Sequence, residues 1–148
     1  VEVKDIPPPV STPVAEILSR SGIPQRTLVA CIDDSPTICQ QMEKIIVGAG
    51  YQFLSESDGL RALAVLLSRK PDVIFLDLIM PNTNGYEICS QLRKLSFFRQ
   101  TPIIILTGND GIVDRVRAKM VGSTEFISKP VDPEIVLDTI VKNIKQKV

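Results

Sequence analysis

Val73-Ile74-Phe75-Leu76-Asp77 sets four consecutive apolar side chains immediately before a carboxylate. The side chains of a strand alternate between the two faces of its sheet, so an uninterrupted apolar run belongs to a strand covered on both. Leu28-Val29-Ala30-Cys31-Ile32 and Ile103-Ile104-Ile105-Leu106 have the same character. Shorter runs at residues 51–54 and 125–127 bring the expected strands to five.

Each run is followed by helical spacing. Ile38, Met42, Ile45 and Ile46 form one apolar stripe, and Leu60, Leu63, Ala64, Leu66 and Leu67 form another. Ser35 suits an N-cap and Pro36 the first helical position, while Gly48 and Gly50 mark that helix's end. A last helix opens at Asp132-Pro133 and is expected to turn Ile135, Val136, Ile140 and Ile144 inward. Regular strand–helix alternation implies a parallel sheet with right-handed crossovers and helices on both faces. The expected class is α/β, a doubly wound five-stranded parallel sheet inside a three-layer α/β/α sandwich. Of the common doubly wound orders, five strands fit the flavodoxin-like 2-1-3-4-5.

A chain of 148 residues is one ordinary domain. Seventeen Lys+Arg balance seventeen Asp+Glu, which argues against direct nucleic-acid binding, where positive charge is normally in excess. No apolar run nears the ~18 residues of a membrane span, and the start carries no secretory pattern. Three cysteines at uneven spacing match neither a disulfide framework nor a zinc cluster, so a reducing, cytoplasmic setting is expected. Histidine is absent, which removes His-based triads, His-ligated metals and any phosphohistidine of the chain's own. Residues 1–26 read as a proline-rich arm or linker, because Ile6-Pro7-Pro8-Pro9-Val10-Ser11-Thr12-Pro13 holds four of the eleven prolines. Thr12 and Pro13 can open a short helix through Val14, Ile17 and Leu18. With Val1 at the start, the arm is expected to be the tail of a linker from an upstream region, and residues 27–148 the domain proper.

In an open α/β sheet, ligands bind in the crevice beyond the carboxyl ends of the strands. Those ends read Asp33-Asp34-Ser35, Asp77-Leu78, Thr107-Gly108 and Ser128-Lys129-Pro130. Each alone is ordinary: an Asp after a strand usually caps a helix, a Thr closes a turn, a Lys is solvated. Together they direct three carboxylates, a hydroxyl and an ammonium into one pocket. Clustered carboxylates repel one another unless a cation sits between them. Mg²⁺, hard and oxygen-seeking, is the natural candidate. Lys129 offers a compact positive charge to a phosphoryl oxygen, and Thr107 offers a short donor to another. Asp77 remains as an oxygen nucleophile able to form an aspartyl phosphate.

With these motifs in place, residues 27–146 resemble the receiver domain of bacterial two-component response regulators. The resemblance rests on Cys31-Ile32-Asp33-Asp34-Ser35, on Ile74-Phe75-Leu76-Asp77-Leu78-Ile79-Met80-Pro81, on Asn84-Gly85, on Ile105-Leu106-Thr107-Gly108 and on Phe126-Ile127-Ser128-Lys129-Pro130. A closer resemblance is to the C-terminal receiver of cyanobacterial pattern-formation and phototaxis regulators of the PatA type. It implies that Asp77 accepts phosphate from a phosphohistidine on a kinase or phosphotransfer protein. Mg²⁺ would be held by the side chains of Asp34 and Asp77, by the backbone carbonyl of Ile79, and by Asp33 mostly through water. Lys129 would pair with the phosphoryl group, and its bond to Pro130 would be cis. Thr107 would swing toward the phosphoryl oxygens, and the ring of Phe126 would enter the space it leaves. The readout face would comprise the fourth helix, fifth strand and fifth helix, about residues 113–121, 125–128 and 133–145, receiving a downstream protein or a second copy of the chain.

Two positions depart from the polar norm. Phe126 has no phenol hydroxyl, so its rotamer rests on burial alone and a plain core role competes with a switch. Ile79, two beyond Asp77, cannot orient a hydrolytic water, which predicts a long-lived aspartyl phosphate; Asn109 stands two beyond Thr107. Cys31, Cys39 and Cys89 read as buried filler, and Leu95 with Phe97-Phe98 as core closure or a partner site. An enzyme reading, a Mg²⁺-dependent aspartate phosphatase resembling the haloacid dehalogenase group, wants Asp-x-Asp followed by Thr or Val after the first strand. Ser35 and Ile79 fail that pattern. A flavodoxin-like FMN binder is disfavoured because Asp33-Asp34 would repel the phosphate.

Overall fold

A computed structural model of the chain describes residues 27–108 and 111–147. The expected arm at residues 1–26, and Asn109, lie outside the described residues. Strands β1 (Leu28–Ile32), β2 (Gln52–Glu56), β3 (Val73–Asp77), β4 (Ile103–Thr107) and β5 (Glu125–Ser128) form one parallel sheet. Their order is β2-β1-β3-β4-β5, as expected from the alternation. Helices α1 (Pro36–Gly48), α2 (Gly59–Arg69), α3 (Gly85–Arg93), α4 (Ile112–Met120) and α5 (Pro133–Lys147) cross between them. Among the described residues, no helix is long and apolar enough to cross a membrane.

The uninterrupted strands divide their side chains between two cores. Ala30, Ile32, Ile74, Leu76, Ile103 and Ile105 pack with Ala62 and Leu66 of α2, Ile88, Cys89 and Leu92 of α3, and Ala118 of α4. Val29, Cys31, Val73, Phe75, Ile104 and Leu106 pack with Cys39, Met42 and Ile46 of α1 and with Val136, Ile140 and Ile144 of α5. Each fully buried Ile or Leu contributes about 1.5–3 kcal/mol, so the central strands fix the frame that positions their polar ends.

Two helical faces differ from expectation. On α2, Leu60 and Leu67 are exposed and Ala64 lies outside, whereas Ala62 and Leu66 are buried. The phase is set by Gly59, where a Cβ would collide with Thr83 Cγ2 beside Met80. On α5, Ile135 is exposed while Val136, Ile140 and Ile144 are buried as expected. Phe97 and Phe98 divide: Phe98 is buried in a single 3-10 turn and Phe97 stands 55% exposed.

Between β3 and α3 the chain makes a small hairpin that the sequence did not announce. Ile79–Met80 pairs antiparallel with Thr83–Asn84, and Asn82 takes the left-handed conformation at the turn (φ 66°). Asn84 caps α3 by accepting the Glu87 amide at 2.8 Å. The Gly85 amide donates to Leu78 O at 2.8 Å, and a Cβ on Gly85 would collide with the carbonyl of Asp77. Asn84-Gly85 therefore folds the chain tightly back onto Asp77. At the opposite end of the sheet, the Arg93 guanidinium donates to Phe98 O (2.6 Å), Thr101 O (2.7 Å) and Gly122 O (2.8 Å). It thereby ties the end of α3 to the segments flanking β4 and β5.

Candidate functional site

Asp33, Asp34 and Asp77 stand just beyond, or at, the carboxyl ends of β1 and β3, and one carboxylate oxygen from each lies within 4.8 Å of the others. Asp33 and Asp77 are buried, and Asp34 is exposed. The start of α1 arranges the first pair. The Ser35 amide donates to Asp33 Oδ1 at 2.9 Å, and Ser35 Oγ accepts the Ile38 amide at 3.3 Å. Lys129 reaches in from the end of β5 over a cis bond to Pro130. Its Nζ lies 2.8 Å from Asp33 Oδ2 and 3.4 Å from Asp77 Oδ1. The first approach is an ion pair without hydrogen-bond alignment, so Asp33 Oδ2 is a buried acceptor with no hydrogen-bond partner.

The electrostatics follow from this crowding. Burial, and then the neighbouring Asp33 carboxylate, push Asp77 up to about 6, against the pull of Lys129 and of the Ile79 amide. For Lys129, burial works to lower the ammonium, but Asp33 and Asp77 together outweigh it and hold it above its usual value. The cluster therefore carries more negative charge than its single ammonium neutralises. A small divalent cation fits this donor set: hard carboxylate oxygens from three residues, gathered within 4.8 Å of one another, two of them shared by a single ammonium.

The model of the response regulator receiver domain matches residues 29–141. The chain belongs to this family. Its relatives include protein PilG of Pseudomonas aeruginosa, 36% identical over 76% of this chain and 83% of that protein. Protein PilH of the same organism is 35% identical over 76% of this chain and 93% of that protein. Among solved structures, the chemotaxis protein CheY4 of Vibrio cholerae shares the fold at a TM-score of 0.75 and 33% identity, covering 79% of this chain and 98% of that one. The protein is thus a receiver domain of two-component response regulators, and nothing in these likenesses supports the phosphatase reading.

In this receiver domain Thr107 ends β4, is buried, and accepts the Lys129 amide on its carbonyl at 2.7 Å. Thr107 also lines a cavity of about 220 Å³ with Leu78, Ile79, Asn84, Tyr86, Asp114 and Arg117. Phe126 is half-buried, and the Arg115 guanidinium stacks on its ring at 4.7 Å from the centroid. Of the residues expected at the site, Asp33, Asp34, Asp77 and Lys129 therefore converge directly. Thr107 stands at the neighbouring strand end, and Phe126 lies on β5, which pairs with Thr107's strand.

Tyr86, Asp114 and Arg117 were not anticipated. Tyr86 Oη donates to Asp114 Oδ1 at 3.0 Å, and the Arg117 guanidinium stacks on the Tyr86 ring at 4.1 Å. These contacts tie the start of α3 to α4, beside Thr107. A tyrosine directly after the Asn84-Gly85 cap was the available signal, but its partner stands 28 residues away.

Proposed function

We propose that this receiver domain takes a phosphoryl group onto Asp77 from a phosphohistidine on a histidine kinase or phosphotransfer protein, with Mg²⁺ as its cofactor. The observation that carries the reading is Lys129 Nζ set between Asp33 and Asp77, with Asp34 close by. Lys129 offers one positive charge against three carboxylates. Asp33, Asp34 and Asp77, with the Ile79 backbone carbonyl, would hold the cation. Bound there, Mg²⁺ supplies the charge neutralisation that lets an anionic phosphoryl group approach an anionic nucleophile.

The chain's own groups do the rest. An Asp77 carboxylate oxygen displaces the donor imidazole in line. Lys129 turns from the carboxylates to a phosphoryl oxygen, and the Thr107 hydroxyl donates to another. That movement frees space for the Phe126 ring and biases α4. The outer side of α4 carries Val113 (77% exposed), Val116 and Met120 (80% exposed) at helical spacing, an apolar row fit for a partner. A downstream protein, or a second copy of the domain, docks on α4, β5 and α5. Three free thiols accord with a cytoplasmic setting.

The test is incubation with Mg²⁺ and acetyl phosphate, read by intact mass. A gain of about 80 Da, one phosphoryl group, is expected with Mg²⁺ and lost in Asp77→Asn. An adduct that survives Asp77→Asn, or none in the native chain, overturns the assignment.

A further inference from the structure

We propose that Arg115 is a positioning residue for the switch: its guanidinium latches the Phe126 ring in its half-buried position and so sets how readily the domain passes to its phosphorylated form. The guanidinium lies 4.7 Å from the ring centroid, inside the ~6 Å reach of a cation–π contact. Phe126 packs against the core on the α3 and α4 side of the sheet. Arg115 is exposed in the first turn of α4, on the helical face that buries Ala118 three residues later. The contact therefore joins the leading turn of α4 to β5.

The ring has another place to go. Phe126 stands in register with Ile105, and Thr107 follows two residues further along β4. All three side chains consequently point to the same side of the sheet. On that side Thr107 borders the cavity of about 220 Å³ that it lines with Leu78, Tyr86, Asp114 and Arg117. Burial favours entry of an apolar ring, and Phe126 lacks the hydroxyl by which a tyrosine could be tethered outside. The attraction of the guanidinium for the ring face opposes entry, because it is lost once the ring turns away.

At an exposed site such a contact is worth a factor of about two to five in the equilibrium between two ring positions. That biases a two-state element without locking it against a newly added dianion. A planar guanidinium stacks on a ring, whereas a lysine ammonium at the same position keeps the charge without the stacking. The effect on phosphorylation rests on the reading that Thr107 and Phe126 act as the switch; the ring contact itself does not.

The full chain with ring-labelled phenylalanine is compared by NMR with Arg115→Ala and Arg115→Lys, and Phe126→Leu assigns the signal. Spectra are taken with Mg²⁺ alone and with Mg²⁺ and beryllofluoride, an inert stand-in for the phosphoryl group. Phosphorylation by acetyl phosphate is timed by intact mass. With Mg²⁺ alone, Arg115→Ala is expected to move the Phe126 signal toward its beryllofluoride position. The phosphorylation rate should rise about two- to fivefold, with Arg115→Lys in between. Added to Phe126→Leu, Arg115→Ala should change that rate no further, which a merely structural role of Arg115 would not produce. An unmoved ring in Arg115→Ala, or an equal rate change with and without the Phe126 ring, overturns the latch. A native ring that ignores beryllofluoride refutes the switch reading instead, and displacement of the ring in Arg115→Ala still decides the latch.

Discussion

Helices α1 and α4 occupy equivalent places, each leaving the carboxyl end of a central strand that carries a site residue, yet they are held very differently. α1 places Cys39, Met42 and Ile46 in the core, and its first turn is capped by the Ser35 side chain. α4 begins at Gly111, which makes no side-chain cap; among its described side chains only Ala118 is buried, while Val113, Val116 and Met120 face outward. At about 1.5–3 kcal/mol per buried aliphatic side chain, the first helix is part of the frame and the second is lightly seated. The lesson is a division of labour. The α1 side fixes the carboxylates through a well-buried helix, and the α4 side rests on few buried side chains.

The comparison breaks most readily with a pair of methionines. Met42→Ala should cost about 2–5 kcal/mol in urea unfolding, and Met120→Ala no more than about 0.5 kcal/mol. Equal losses would mean that the two helices are seated alike.

The next effect concerns the carboxylates, through pH. Asp77 stands at about 6 in the folded chain against an ordinary 3.8, raised by burial and by Asp33. Its contribution to the stability of the metal-free domain is therefore fully present below the ordinary value and is lost as pH rises through about 6. Mg²⁺ at the proposed site would reverse that loss, because it would compete with the proton for the same carboxylate. Stabilisation by saturating Mg²⁺, read as a rise in Tm, should be large at pH 7.5 and fade below pH 6. Mg²⁺ affinity should drop about tenfold per pH unit there, or about 1.4 kcal/mol. A flat profile would show that Asp77 does not hold the cation.

Smaller effects sharpen the contrast from the α4 side. Tyr86→Phe removes the hydrogen bond to Asp114 and should cost about 0.5–1.5 kcal/mol. Amide exchange in α4 should accelerate while that in α1 stays as it was; uniform acceleration would contradict a local tether. Ile79→Asn should shorten the phosphoryl lifetime by a few-fold, followed by intact mass over time, since Ile79 is exposed beside Asp77 and offers water no polar partner. An unchanged lifetime would remove Ile79 from the account.

Much of this arrangement could be read from the chain because its strands are written plainly. Uninterrupted runs such as Val73-Ile74-Phe75-Leu76 permit little besides a doubly covered strand, and the polar residue that ends each run falls at the crevice. Helix α2 was harder. Leu-Arg-Ala-Leu-Ala-Val-Leu-Leu is apolar around most of its circumference, so its inward face is decided by the contact of Gly59 with Thr83 and Met80 rather than by its own pattern. Two-residue strands such as Ile79–Met80 have no period to detect. The Tyr86–Asp114–Arg117 group was hidden for the same reason as the α2 phase, since only the tertiary fold brings it together.

Arg93 gives the lightly seated helix a direction. Its guanidinium clasps Gly122 O, and the Cys89 thiol reaches Val121 O at 3.4 Å, so the chain leaving α4 is fastened to α3 from below. At the other end the Tyr86 phenol donates to Asp114, and Arg115 lies over the Phe126 ring. If α4 is displaced, this fastening favours a tilt about its tail over a slide along its axis. The excursion would then be wider near Val113 than near Met120, and a partner gripping the leading turn would sense more than one gripping the last.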